Sequence, residues 1–297
     1  MRAEVEEIIE LVDIPSASGI EIYRDKIYII GDDTPYLFEL NKKLQIIQKI
    51  PLLDSEINGN GRIKKSKKPD LESLTVVSND NKEFLLVLGS GSLREVRDYG
   101  FIVDLPNCSV TEFSVVRFYD HLRLLFDKLH AGVLNIEATV FYNDHLYLFH
   151  RGNISGINLI VSLTWNDFID FNRAGVVPSL QYYEIGLPGI SGIPSGFSGA
   201  ALIPGTSTIL FTASVEDTLN EIDDGPALGS FVGSMNALLN MIEPTTELLE
   251  FNGCMLTSKV ESIIVVTQSG DSTFSALACC DEDGKASSLL KLRVTLD

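Results

Sequence analysis

A chain of 297 residues, 45% hydrophobic and 22% charged, is long enough to bury a large core, as one barrel or propeller or as two smaller domains. Its 41 acidic residues against 23 basic ones give a formal net charge of −18. That balance argues against a nucleic-acid backbone or an anionic membrane surface as partner, and it suits cationic ligands or metal ions.

Nearly every segment is a short β-branched or aromatic run broken by Gly, Asn, Asp or Pro, which is an all-β signature. In chain order, residues 5–12 form a first apolar strand with no neighbour. Strands at 19–24, 26–30, 36–40 and 44–50 make one set of four, and 71–78, 84–88, 99–105 and 111–118 a second. A short helix over 119–129 follows. The third set is 136–142, 145–150, 158–164 and 180–185, and the fourth is 197–203, 208–213, 230–235 and 247–251. The last set has only three members, 260–267, 274–280 and 288–295.

One pattern opens each set: a small or polar residue, an apolar residue, a glutamate and an apolar run. It reads Gly19-Ile20-Glu21-Ile22-Tyr23, Asp70-Leu71-Glu72-Ser73-Leu74, Asn135-Ile136-Glu137-Ala138-Thr139 and Lys259-Val260-Glu261-Ser262-Ile263, with Gly196-Phe197-Ser198-Gly199-Ala200 carrying serine instead. The steps between anchors are 51, 65, 61 and 63 residues, each enough for a four-stranded blade. The expectation is a single five-bladed β-propeller spanning 1–297, its inner strands starting near Glu21, Glu72, Glu137, Ser198 and Glu261. Residues 5–12 complete the last blade and close the ring. A six-bladed alternative needs a blade carved from 110–132, which holds one strand and the short helix.

In such a ring the first strand of each blade lines the central channel, so the glutamates gather at one mouth. The turns after the second strands return to the same face with Asp32, Asp33, Ser90, Arg151, Asn153, Glu216, Asp217 and Asp281. Converging carboxylates repel, and burial worsens the repulsion. A metal ion on Glu21, Glu72, Glu137 and Glu261 resolves it, and all-oxygen donors favour Ca2+ over zinc. Pairing with Lys68, Arg94, Arg151 or Lys259 is a second resolution. Protonation, or hydrogen bonds to backbone amides of the next blade, is a third.

The catalytic candidates are Glu72, Glu137 and Arg151. The ligand-binding candidates are Asp32, Lys68, Ser90, Arg94, Asn153, Ser198 and Glu216. Residues 62–68 carry five cations and read as a linker, or as a device that delivers Lys68 to the channel mouth. The connection holding Glu216, Asp217, Glu221, Asp223 and Asp224 reads as a lid or a solvated acidic loop.

His121, His130, His145 and His150 lack zinc spacing and read as structural. Cys108, Cys254, Cys279 and Cys280 read as core thiols, with the adjacent pair facing opposite sides of a strand. No apolar run approaches the roughly 20 residues of a membrane-spanning helix, and residues 1–13, with five acidic side chains, do not resemble a signal peptide. A cytoplasmic protein is expected, or a periplasmic or secreted one if a leader precedes it.

The Ser16-Ala17-Ser18-Gly19-Ile20 opening, the repeated inner-strand glutamate and Asp70-Leu71-Glu72-Ser73-Leu74 resemble bacterial phytase-like (esterase-like) propeller proteins and an uncharacterised family close to them. The resemblance implies calcium near the channel at Glu21, Glu72, Glu137 and Glu261. Ser198 departs from that pattern, and no dense phosphate-binding run of Lys and Arg is present. Two functions follow as expectations: a calcium-dependent hydrolase or lactonase acting on a small molecule at the channel mouth, or a non-enzymatic ligand- or protein-binding scaffold.

Overall fold

The computed structural model describes every residue except 153, 219–224, 239–242, 271 and 282–285. Five four-stranded antiparallel sheets form the blades of a β-propeller. The first takes Ala17–Tyr23, Lys26–Gly31, Tyr36–Leu40 and Ile46–Pro51. The second takes Leu71–Asn79, Lys82–Gly89, Tyr99–Asp104 and Ser109–Ser114. The third is Ile136–Tyr142, His145–His150, Asn158–Thr164 and Gln181–Ile185. The fourth is Gly196–Leu202, Thr208–Glu216, Ala227–Asn236 and Thr245–Leu248.

The fifth blade draws on both ends of the sequence. Lys259–Gln268, Thr273–Asp281 and Ala286–Thr295 supply three strands, and Arg2–Pro15 lies antiparallel on the outside of the third. The closing strand is longer than the expected 5–12, and its ladder runs from Arg2 opposite Thr295 to Pro15 opposite Ala286. A six-bladed ring is ruled out because 110–132 yields only the outer strand of the second blade and a helix.

The core is divided among the five contacts between blades. Each contact has its own apolar cluster: Ile30 with Leu85, Leu88 with Leu148, Phe149 with Phe197, Leu210 with Val260, and Leu277 with Ile29 are representative. Cys279 belongs to the cluster facing the first blade and Cys280 to the one facing the fourth, so the adjacent pair does point to opposite faces. Cys254 is exposed and Cys108 only half-buried, so two of the four thiols lie outside the core.

Two helices sit on the contact between the second and third blades. Helix α1, Val116–Leu129, starts earlier than expected and cuts the preceding strand short at Ser114, because Val115, Phe118, Tyr119, Leu122 and Phe126 recur at helical spacing and are all buried. Helix α2, Trp165–Ala174, is capped by the Thr164 side chain, which accepts from the Asp167 amide, and ends at Gly175 with φ 76°. The strand pattern gave no sign of α2. No described helix is long and apolar enough to cross a membrane.

Candidate functional site

Near its start each inner strand slips one residue against its neighbour, forming a β-bulge. The bulged residues are Ser18, Glu72, Glu137, Ser198 and Glu261. Before each stands a fully buried apolar residue: Ala17, Leu71, Ile136, Phe197 or Val260. After each stands a small one: Gly19, Ser73, Ala138, Gly199 or Ser262. The small residues let neighbouring inner strands approach closely. A Cβ on Gly199 would lie 2.5 Å from the Ser262 Cα. Bulges re-aim a side chain that regular pleating would bury in the sheet, and here they place the bulged residues around the channel mouth.

This register corrects the anchor in the first blade. The residue equivalent to the other glutamates is Ser18, not Glu21, so the ring holds three glutamates and two serines. Glu21 stands three residues further along, roughly 10 Å down the strand at about 3.3 Å per residue. Its carboxylate accepts from the amides of Ile22 (2.8 Å) and Val76 (3.0 Å), toward the other end of the channel. It therefore shares no site with Glu72, Glu137 and Glu261.

The three remaining glutamates sit in a buried network of alternating sign. Arg151, 2% exposed, faces Glu216 at 2.8 Å, Glu137 at 3.4 Å and Glu261 at 3.9 Å. Lys259 reaches Glu261 at 2.9 Å and Glu216 at 3.6 Å. Asn135 donates to Glu137 at 2.6 Å. Beside these, Lys68 bridges Asp32 (2.5 Å) and Asp70 (2.8 Å), while Arg97, Ser90 and Ser92 also donate to Asp70. Burial opposes the charges on Arg151, Lys259 and Lys68, but the surrounding carboxylates outweigh it and raise all three pKa values. Burial pushes Glu261 up to about 8 against the pull of Lys259, and it also raises Glu137 despite Arg151.

Glu72 differs from its neighbours. No described residue makes a hydrogen bond or ion pair with it, and its carboxyl is part-exposed at the mouth. Burial in the ring, followed by the charges of Glu137, Asp70, Glu261 and Asp32, raises its pKa well above the usual glutamate range. A solvent-reachable carboxyl that holds its proton more tightly than usual, among fixed charges, is the group here best suited to move a proton.

The other expected residues divide. Asp32, Lys68, Ser90, Glu137, Arg151 and Glu216 are brought to the mouth. Arg94 is not: it pairs with Asp120 of α1 at 2.9 Å on the exterior. Ser198 is buried, donates to Thr212 and accepts from Ser214, so its hydroxyl is closed off from a ligand at the mouth. Asn153, Glu221, Asp223 and Asp224 lie outside the described residues. His150 is structural, as expected: its ring nitrogens lie near the Ala131 and Asn135 carbonyls, and burial lowers its pKa to about 4.

Asp70 and Arg97 escaped the sequence reading as site residues. For Asp70 a signal existed, because Asp70, Asn135 and Lys259 all stand two residues before a bulged glutamate. For Arg97, eight residues past its strand, there was none.

The four-glutamate calcium site does not form. Glu21 is remote, and Glu137 and Glu261 already face Arg151 and Lys259. Among the described residues, the carboxylates that do cluster are Asp32, Asp70 and Glu72, with oxygens within 4.8 Å of one another. Their hard oxygens suit calcium, but the Lys68 ammonium already lies against two of the three. This cluster could hold a metal ion, but Lys68 would have to move aside from Asp32 and Asp70 to admit it.

Five blades closed by an N-terminal strand, with a buried charge network at one end of the channel, define a five-bladed β-propeller. The chain belongs to a family of unknown function, DUF6929, whose model matches residues 13–294. No curated protein matches it. Among solved structures it is similar to the glutaminyl cyclase of Myxococcus xanthus, with 9% identity, a TM-score of 0.53, and coverage of 99% of this chain and 97% of that one. It is also similar to a glycoside hydrolase family 43 arabinoxylan arabinofuranohydrolase of Bacillus subtilis, at 12% identity and TM-score 0.53, covering 95% of this chain and 64% of that one. At such identities the likeness is one of fold.

Proposed function

We propose that the channel mouth binds a small polar molecule and that Glu72 transfers a proton on it. Hydrolysis of an ester or lactone is the reaction class the groups suit best. The observation that carries this reading is the setting of Glu72: among the described residues it is the glutamate of the ring with no ion pair or hydrogen bond, although the charges of Lys68 and Arg151 lie near enough to feel it, and it is part-exposed. In its ionised form it can take a proton from water as the water oxygen adds to a carbonyl carbon. Lys68 and Lys259, held charged at the mouth, can stabilise the negative carbonyl oxygen. Glu72 then returns the proton to the departing oxygen as the bond breaks.

The calcium-dependent form, which the resemblance to phytase-like propellers implies, requires the ion to displace Lys68 from Asp32 and Asp70. A thermal-unfolding series with and without calcium tests it, and no shift is expected. One feature favours a second reading, a recognition site without catalysis: the carboxylates apart from Glu72 are already matched by Lys68, Arg97, Arg151 and Lys259, an arrangement suited to static binding.

The test is Glu72→Gln, screened with the wild type against small esters and lactones by NMR. The expected result is turnover by the wild type that falls by about 10²–10⁴-fold in the variant while binding persists, the range for losing one general acid–base group. Unchanged turnover in the variant would sink the role of Glu72, and binding without turnover in either protein would favour the recognition reading. Glu72→Gln should also unfold at a higher temperature than the wild type at alkaline pH. A carboxyl whose folded pKa is raised loses stability as pH rises through that pKa, and the amide carries no such loss.

A further inference from the structure

The channel has a second mouth with different chemistry. Two adjacent residues from each of the five inner strands, with Pro204, line a recess of about 180 Å³ there. Its walls include Val140, Ala201, Leu202 and Ile264, and Glu21 is the one charged side chain among the described residues lining it. The recess is smaller than the roughly 300–1,000 Å³ of drug-sized sites, so its occupant is small.

Glu21 is held in place for such an occupant. One carboxylate oxygen accepts from the Ile22 amide and the other from the Val76 amide, which fixes it between the first and second blades. The Thr75 hydroxyl is a third donor to this carboxylate; a carboxylate has about four lone-pair positions, so these bonds still leave acceptor capacity free. A divalent ion is a poor fit, since calcium takes 6–8 oxygen ligands and, among the described side chains lining the recess, Glu21 and Thr75 are the ones that carry oxygen. An anion meets only the negative charge. A neutral apolar molecule leaves the carboxylate unmatched in a desolvated site, where an unpaired charge is costly.

We propose that this recess binds a small organic ammonium, a primary amine with a short alkyl chain, with Glu21 as its counter-ion and the apolar walls around the chain. The ammonium supplies N–H donors to the unused lone pairs. Burial pushes the Glu21 pKa up to about 7 despite the Ile22 and Val76 amides and the Thr75 hydroxyl, and among the described residues no cationic side chain lines the recess. The site is separate from the Glu72 mouth and stands whether or not that mouth is catalytic.

The test is titration of n-butylammonium into the full chain, followed through the backbone amide signals of Ile22 and Val76. n-Butanol serves as the uncharged probe of the same shape. The expected result is saturable shifts at those two amides with the amine and binding at least about tenfold weaker with the alcohol. Glu21→Gln should weaken amine binding by a similar factor. Because the amide also disturbs a bond to one backbone N–H, Ala201→Leu provides a second variant that fills the recess and leaves Glu21 intact; it too should abolish the shifts. The proposal is overturned if the amine gives no saturable shift at Ile22 and Val76, if the alcohol binds equally well, or if both variants bind the amine as the wild type does.

Discussion

Replacing Arg151 with methionine is expected to cost about 3–5 kcal/mol of folding stability at pH 8, the range for removing one partner from a buried ion cluster. The side chain is among the largest fully buried ones, and its guanidinium faces Glu137, Glu216 and Glu261 together. Methionine fills much of the volume but, among the described residues, leaves Lys259 as the cation paired with Glu216 and Glu261. The loss should shrink as pH falls. Without Arg151 the folded-state pKa values of Glu137 and Glu261, already raised, rise further, and groups with raised values lose stability as pH increases, so acid relieves the variant by protonating them. Urea unfolding at pH 8 and pH 6 measures both effects. A loss below about 1 kcal/mol at pH 8 would mean that solvent reaches the cluster more freely than its burial indicates.

Deleting residues 2–15 should be costlier still. The deletion strips the outer strand from the fifth blade and leaves Ala286–Thr295 as an open edge. It also removes Leu11 and Ile14, both buried against the blade contact that closes the ring. Each buried side chain of this size contributes about 1.5–3 kcal/mol, and the ladder bonds add to that. The total approaches the roughly 5–15 kcal/mol that holds a typical domain folded. The expected result is loss of a cooperative unfolding transition, with partial recovery when a peptide of residues 2–15 is supplied to add back as a strand. A truncated protein that still unfolds in one sharp transition near the wild-type midpoint would contradict closure by this strand.

The blades were legible because propeller strands are short, alternate in hydropathy and end at turn residues, so most observed strands begin or end within two residues of the expected positions. The helices were harder to read. The apolar spacing in Val116–Leu129 overlaps what a strand would show at its start, and α2 follows a strand with only Thr164 to mark the change. The ring was misread at one place for an identifiable reason. Glu21 has the right chemistry and nearly the right position, but the apolar-x-small triplet that marks each bulge is Ala17-Ser18-Gly19. Steric spacing, not charge, sets the register there, because only small residues allow the inner strands to approach one another.

The network of counter-charges was only partly legible. Lys68, Arg151 and Lys259 stand near the glutamates in the repeat, but Arg97 reaches Asp70 from a connection whose path no pattern reveals. The separation of Glu21 from the mouth also depended on three-dimensional register. It converts an expected four-carboxylate metal site into two unlike features, a charge-matched mouth with one isolated acid and an apolar recess with one lone acid.

The isolation of Glu72 is what the functional reading depends on, and a carboxyl-carbon NMR titration of the glutamate side chains, in wild type and Glu72→Gln, tests it directly. The expected result is one resonance, absent from the variant, that titrates well above the usual glutamate range. A Glu72 signal that titrates in that ordinary range would show the carboxyl to be charged and compensated at neutral pH, and would contradict its assignment as the proton-transferring group.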